Sequence, residues 1–186
     1  MKLLAGLGLT LLLLPAVTFA VSSWKIVPAS SHITFTATQN GAPVTGEFQS
    51  FMGEIQGEPT DLKDSHVKIA VDINSVKTSD GDVASTLKTT DWFDSTDFSQ
   101  AVFTADKFTQ TGKNTYTATG TLTMRGETRP VILSFVLNDY SDKSFDVTGK
   151  TTLKRTAFGV GQGDWSKTDA IKDDVLVEFT LKASKA

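Results

Sequence analysis

Apolar and polar residues change places at every step along much of this chain. Ile33, Phe35 and Ala37 alternate with Thr34, Thr36 and Thr38, and Val67, Ile69, Val71 and Ile73 with Lys68, Ala70 and Asp72. Val175, Val177, Phe179 and Leu181 do the same against Leu176, Glu178, Thr180 and Lys182. A period of two turns one set of side chains toward an apolar interior and the other toward water, as antiparallel strands do. Thr, which crowds the polar positions, suits extended backbone. Further arms run over 101–108, 114–124, 128–138, 143–155 and 173–183. The turn Arg125-Gly126-Glu127 joins two of them, with Gly126 expected at positive φ. Pro130, which lacks an N–H, is expected at an edge or a strand entrance.

Two irregularities shape the expected architecture. Val44, Gly46 and Phe48 occupy one register while Phe51, Gly53 and Ile55 occupy the other, so a bulge near Gln49-Ser50 is needed to aim both sets inward. Ser79 stands three residues before Asp82, and Val83, Ala84 and Leu87 form a short apolar stripe, which predicts one short helix. The stretch Thr90 to Phe98 follows as an aromatic, acidic corner suited to a barrel mouth. About eight meandering strands with one helix in one domain favour an all-β, up-and-down antiparallel barrel over a sandwich. The interior of an eight-stranded barrel either fills with side chains or holds one small ligand, and periodicity does not choose between them.

Lys2, the apolar run from Leu3 to Val17 and the exit Thr18-Phe19-Ala20 read as a secretory signal peptide over 1–20, leaving 21–186 as one exported domain. Losing Lys2 takes the 18 basic side chains to 17 against 21 acidic, a balance of −4. That charge is too small and mixed for a nucleic-acid face. Cys is absent, which excludes disulfides, thiol redox chemistry and a lipoprotein anchor. No nucleophile elbow, paired-His motif or phosphate loop is present, so the reading is not an enzyme and assigns no catalytic residue, cofactor or metal. Asp80, Asp82, Asp91, Asp94 and Asp97 lack EF-hand spacing and are expected at turns and helix starts. His32 and His66 both fall on polar strand positions. Three Trp and two Tyr are too few for the girdles of a membrane-spanning barrel.

The order of short motifs resembles the YceI-like family of bacterial polyisoprenoid-binding proteins. Ser31 to Phe35, Gly46-Glu47-Phe48, Phe51-Met52-Gly53 and Asp72 to Val76 with Thr78 carry the likeness first. Leu87, Asp91 to Asp94, Phe98, Ala101-Val102-Phe103, and Gly120 to Gly126 with Pro130-Val131 continue it. The tail, from Arg155 through Phe158 to Gly161 and on to Trp165, is similar to a branch found beside or fused to cytochrome b561-like membrane proteins. The resemblance implies a lipocalin-like extended barrel whose apolar tunnel binds an isoprenoid-type lipid, in the periplasm. It also implies a rival role as a non-transporting partner of a cytochrome b561-like protein. Where many members carry a His after the first strand, this chain has Gln39-Asn40-Gly41-Ala42-Pro43.

On that reading the expected lining is Phe35, Phe48, Ile69, Val71, Phe103, Leu122, Leu133, Phe135, Val147, Phe158, Val177 and Phe179. Trp92 and Trp165 are candidates for a gate, and Arg155 for a head-group contact through its fork of donors. Phe19 and Phe93 are expected outside the interior. Ile132 and Val136 make their strand apolar on its second face too, which predicts cover by the helix or a loop.

Overall fold

The computed structural model describes residues 21–58 and 61–186; the stretch read as a signal peptide lies outside them. The strands are β1 (Ser23–Ile26), β2 (His32–Gln39), β3 (Ala42–Phe48), β4 (Phe51–Glu58), β5 (Asp61–Asp72) and β6 (Val76–Thr78). After a helix, α1 (Gly81–Leu87), come β7 (Gln100–Gln110), β8 (Thr115–Met124), β9 (Glu127–Tyr140), β10 (Ser144–Lys154) and β11 (Asp174–Lys185). All pairings are antiparallel, and β1 joins β4 on one side to β11 on the other, so the sheet closes.

Eight staves form the barrel because three of them are broken strands. β1 and β2 are halves of one stave, as are β3 with β4 and β5 with β6. The breaks at Gln49–Ser50 and Ile73–Ser75 answer each other: Gln49 N–H donates to the Ser75 carbonyl at 3.3 Å, and Ser50 N–H to the Ser75 hydroxyl at 3.0 Å. Ser31, at the third break, accepts from Lys182 N–H at 3.0 Å. Serine hydroxyls thus satisfy backbone groups that a bent ladder would leave bare. The break at Gln49–Ser50 also restores parity, since Val44, Phe48, Phe51 and Ile55 all reach the interior.

Local chemistry sets the turns. Asn40 and Gly41 have φ of 50° and 80°, and Arg125 and Gly126 have 51° and 75°. Two successive positive-φ residues match the twist of the flanking strands in a two-residue hairpin. Pro130 lies in the part of β9 that pairs with β8 but not with β10, whose register begins at Ser134. The helix starts as expected, but its N-cap is Asp80, not Ser79: the Asp80 carboxylate accepts from Asp82 N–H at 2.9 Å.

The outer surface corrects one expectation. Ile132 is 57% and Val136 38% exposed, with neither α1 nor a loop over them among the described residues. Their cross-strand neighbours are Thr119 and Thr115, while α1 packs beside β6 at one mouth. Lys68, Lys150, Glu178 and Lys182 also face outward and are exposed, unlike the apolar band of a membrane-spanning barrel.

Candidate functional site: an apolar bore in two chambers

The inward rows do not fill the barrel. A chamber of about 340 Å³ opens beneath α1 and the loop after β10. A second, of about 140 Å³, lies toward the β1 end. They run end to end, since single strands serve both: β5 supplies Val71 to the larger and Ile69 to the smaller, and β11 supplies Val177 and Phe179 respectively. The larger volume alone falls within the range of small-molecule sites.

Eleven of the twelve expected lining residues reach these chambers. Phe35, Phe48, Val71, Leu122 and Val177 line the larger one; Ile69, Phe103, Leu133, Phe135, Val147 and Phe179 line the smaller. Phe158 does not. It is 2% exposed and sits in the core with Val160 and Ile171, because a 3-10 turn over Arg155–Phe158 takes it off the strand alternation. Phe93, expected outside the interior, lines the larger chamber, with its ring 6.0 Å from that of Phe48.

Several lining residues escape a strict period-two reading. Phe108 turns inward because a register shift between Ala105 and Lys107 resets the parity of β7. Trp24 fills the far end from β1, a strand of only four residues and too short to show a period, while Phe145 beside it follows the alternation of Val147. Val160 and Ile171 belong to the loop, which has no period to read. Tyr116 had a signal: it alternates with Thr115 and Thr117, and its ring stacks on Phe135 at 5.5 Å.

Glycine makes part of the space. Gly46 on β3 pairs with Phe35, and Gly149 on β10 pairs with Phe179. In both, the ring lies where a Cβ would stand, under 3.0 Å from its position. Each phenyl lies against the wall over a residue without a side chain, instead of across the bore.

Arg155 has a different role from the one expected. It is 3% exposed, and all five N–H groups of its fork meet backbone carbonyls. Nε donates to Lys172 at 3.2 Å; Nη1 to Val160 at 3.0 Å and Gly161 at 3.3 Å; Nη2 to Lys167 at 2.8 Å and Ile171 at 3.0 Å. Its guanidinium lies 5.9 Å from the Trp92 ring centre. Burial draws its pKa below the ordinary value, against the pull of nearby Asp173. The fork therefore holds the loop across the mouth and has no donor left for a head group. Burial works against ionisation of Asp173, yet the Thr156 N–H and hydroxyl that it accepts, with Lys154 and Arg155 nearby, hold its carboxyl below its ordinary range.

Trp92 and Trp165 both line the larger chamber, their ring centres 5.6 Å apart. Trp92 is 8% exposed and its indole N–H has no partner among the described residues; Trp165 is 39% exposed. At the other end Trp24 is 1% exposed and donates its indole N–H to the Gly57 carbonyl at 3.0 Å. Its ring meets Phe145 edge-on at 5.2 Å. Beside it the Tyr140 hydroxyl donates to Glu58.

A closed eight-stranded meander around an apolar bore defines the class: a barrel of the kind that holds hydrophobic small molecules in its interior. The sequence matches the YceI-like domain over residues 24–183, and the chain belongs to that family. A UPF0312 protein of Photorhabdus laumondii is 28% identical over 176 residues, covering 89% of this chain and 91% of that one. The crystal structure of BcnA from Burkholderia cenocepacia superposes with a TM-score of 0.80 at 26% identity, covering 84% of this chain and 98% of that one. A polyisoprenoid binding domain from Saccharophagus degradans, at 14% identity, shares the fold with a TM-score of 0.72 over 89% of this chain and 99% of its own.

Proposed function

We propose that this protein is a periplasmic carrier for an isoprenoid-type lipid, polyprenyl or quinone-like, held inside the barrel. The observation that carries the reading is the pair of apolar chambers left open within a closed barrel. A prenyl chain offers branched hydrocarbon and no hydrogen bonds, so walls of Phe, Val, Leu and Ile complement it. Each Å² taken from water contributes about 25 cal/mol. Membership of the YceI-like family and the likeness in fold to a polyisoprenoid binding domain support it.

The α1 end is the proposed way in. Its cover is a short helix and a loop, and Trp165 offers an exposed ring there. Because the Arg155 fork is already spent, the reading assigns no gripping of a phosphate to it. Trp92 and Trp165 remain the proposed gate. The role is binding and not catalysis, and export through a cleaved leader over 1–20 is part of the same proposal. Organic extraction of protein purified from its native host, followed by mass spectrometry, should yield a prenyl lipid in stoichiometric amount. Recovery of none, together with no uptake of prenyl alcohols by the purified protein, would overturn the reading.

The exposed Trp165 also favours a second reading, in which the mouth docks on a cytochrome b561-like membrane protein without lipid transport. Affinity capture from the native membrane should recover that partner, and should lose it on Trp165→Ala.

A further inference from the structure

The two chambers are unequal, and the same device shapes a wall in each. In the larger, Phe35 lies over Gly46 of the neighbouring strand; in the smaller, Phe179 lies over Gly149. The second pair belongs to a row across four strands. Phe179 pairs with Gly149, Gly149 with Phe135, and Phe135 with Tyr116. Three of the four positions are aromatic, and the glycine is the slot that receives one ring. Phe179 also stands where the bore changes from one chamber to the other. Its neighbour two residues back, Val177, and its cross-strand partner, Ile33, both line the larger chamber, while Phe179 lines the smaller.

Neither glycine has the positive φ that would make it obligatory for backbone reasons. What each supplies is space. A methyl at Gly149 would meet the Phe179 ring, Phe135 and the Ser134 carbonyl; one at Gly46 would meet the Phe35 ring and the Lys77 carbonyl. A ring displaced from its slot can move only away from the wall, into the bore.

We propose that the Phe179–Gly149 pair sets the length of chain this barrel accepts. Short prenyl chains occupy the larger chamber alone, and longer ones pass the flattened Phe179 ring into the smaller. The Phe35–Gly46 pair, within the first chamber, acts on chains of every length. This rests on the lipid-carrier reading and adds to it the residues that measure the tail.

The test is a titration of delipidated full-domain protein with geraniol, farnesol, geranylgeraniol and solanesol, followed by tryptophan fluorescence and native mass spectrometry. Wild-type affinity should rise with chain length. Gly149→Ala should leave geraniol within about twofold and weaken the longest chains by about tenfold, the scale of modest overpacking. Gly46→Ala should weaken all four. Phe179→Ala, which widens the passage without approaching backbone, should hold or raise the ratio of long-chain to geraniol affinity. It decides the matter if near-UV circular dichroism shows either glycine variant to be misfolded. Equal losses for short and long chains in Gly149→Ala, or a selective long-chain loss in Phe179→Ala, overturn the proposal while leaving the carrier reading intact. Wild-type protein that binds no prenol of any length sinks both.

Discussion

The two ends of the barrel face the same problem, keeping water from a greasy bore, and meet it with opposite chemistry. At the β1 end the answer is apolar burial: Trp24 is wedged against Phe145 and Tyr140 and held by one hydrogen bond, between strands paired on both sides. At the α1 end the answer is a buried cation, with five carbonyls of one loop gathered on the Arg155 fork. The first closure is part of the sheet and opens only if strands separate. The second is a set of directional bonds to a segment outside the sheet, and its failure leaves every stave in place. On the lipid-carrier reading, the α1 end is the one that can open without parting the sheet.

Trp24→Ala should have the largest effect on that contrast. Truncating a fully buried Trp costs about 3–5 kcal/mol, and because Trp24 touches the sheet itself the loss should be global. Urea denaturation should show a lower midpoint with an unchanged slope. Hydrogen exchange should speed throughout the barrel, in step with overall stability.

Arg155→Met should come next and behave differently. Unpaired carbonyls cost about 1–3 kcal/mol each while they stay buried, but this loop can swing out and find water. A net loss of roughly 2–3 kcal/mol is expected on that basis, with faster exchange confined to 159–173. Arg155→Lys keeps the charge without the planar fork and should recover only part of the loss. If Trp24→Ala loosened only its own end, or Arg155→Met loosened all eight staves alike, the two closures would not be the different kinds of structure described above.

The same division explains what could be read in the sequence. Wherever a strand runs unbroken, as over Val67 to Val71 or Val175 to Leu181, alternation alone assigns the inward faces correctly. The parity shift at Gln49–Ser50 is equally legible, because two misaligned apolar sets demand a correction between them. Alternation fails where the backbone leaves the strand. Phe158 loses its place to a 3-10 turn, and Phe108 gains one from a register shift that the intervening Asp106 and Lys107 do not announce. Arg155 is the clearest case. A lone Arg before a glycine-rich loop looks like a ligand contact, because nothing in its neighbours reveals that Lys167, Ile171 and Lys172 will fold back to offer it carbonyls. Ile132 and Val136 mislead for the opposite reason: a strand rich in Val, Ile and Leu need not be buried on both faces when threonine flanks it.

The smallest expected effect sharpens the β1 end. There the Tyr140 hydroxyl donates to Glu58, and the pair titrates at both extremes of pH. Bonds from the Ser22 hydroxyl and then Tyr140 draw the Glu58 carboxyl below its ordinary value of 4.5, although burial opposes them and Lys185 adds a little. The Tyr140 phenol is pushed up to about 12, mainly by its bond to Glu58. A carboxylate with a lowered folded pKa contributes stability above 4.5 that fades as pH falls through the folded value. A phenol with a raised one contributes stability below 10 that is lost as pH climbs through about 12. Tyr140→Phe should therefore be less stable than wild type between these limits. The gap should narrow above pH 10 until it closes, because no phenol remains to titrate in the variant. Below pH 4.5 it should narrow by the share of the Glu58 shift that Tyr140 supplies, since the Ser22 share is present in both proteins and cancels. Urea midpoints of both proteins across that range measure it, and a gap independent of pH would mean that the hydroxyl contributes by filling space alone.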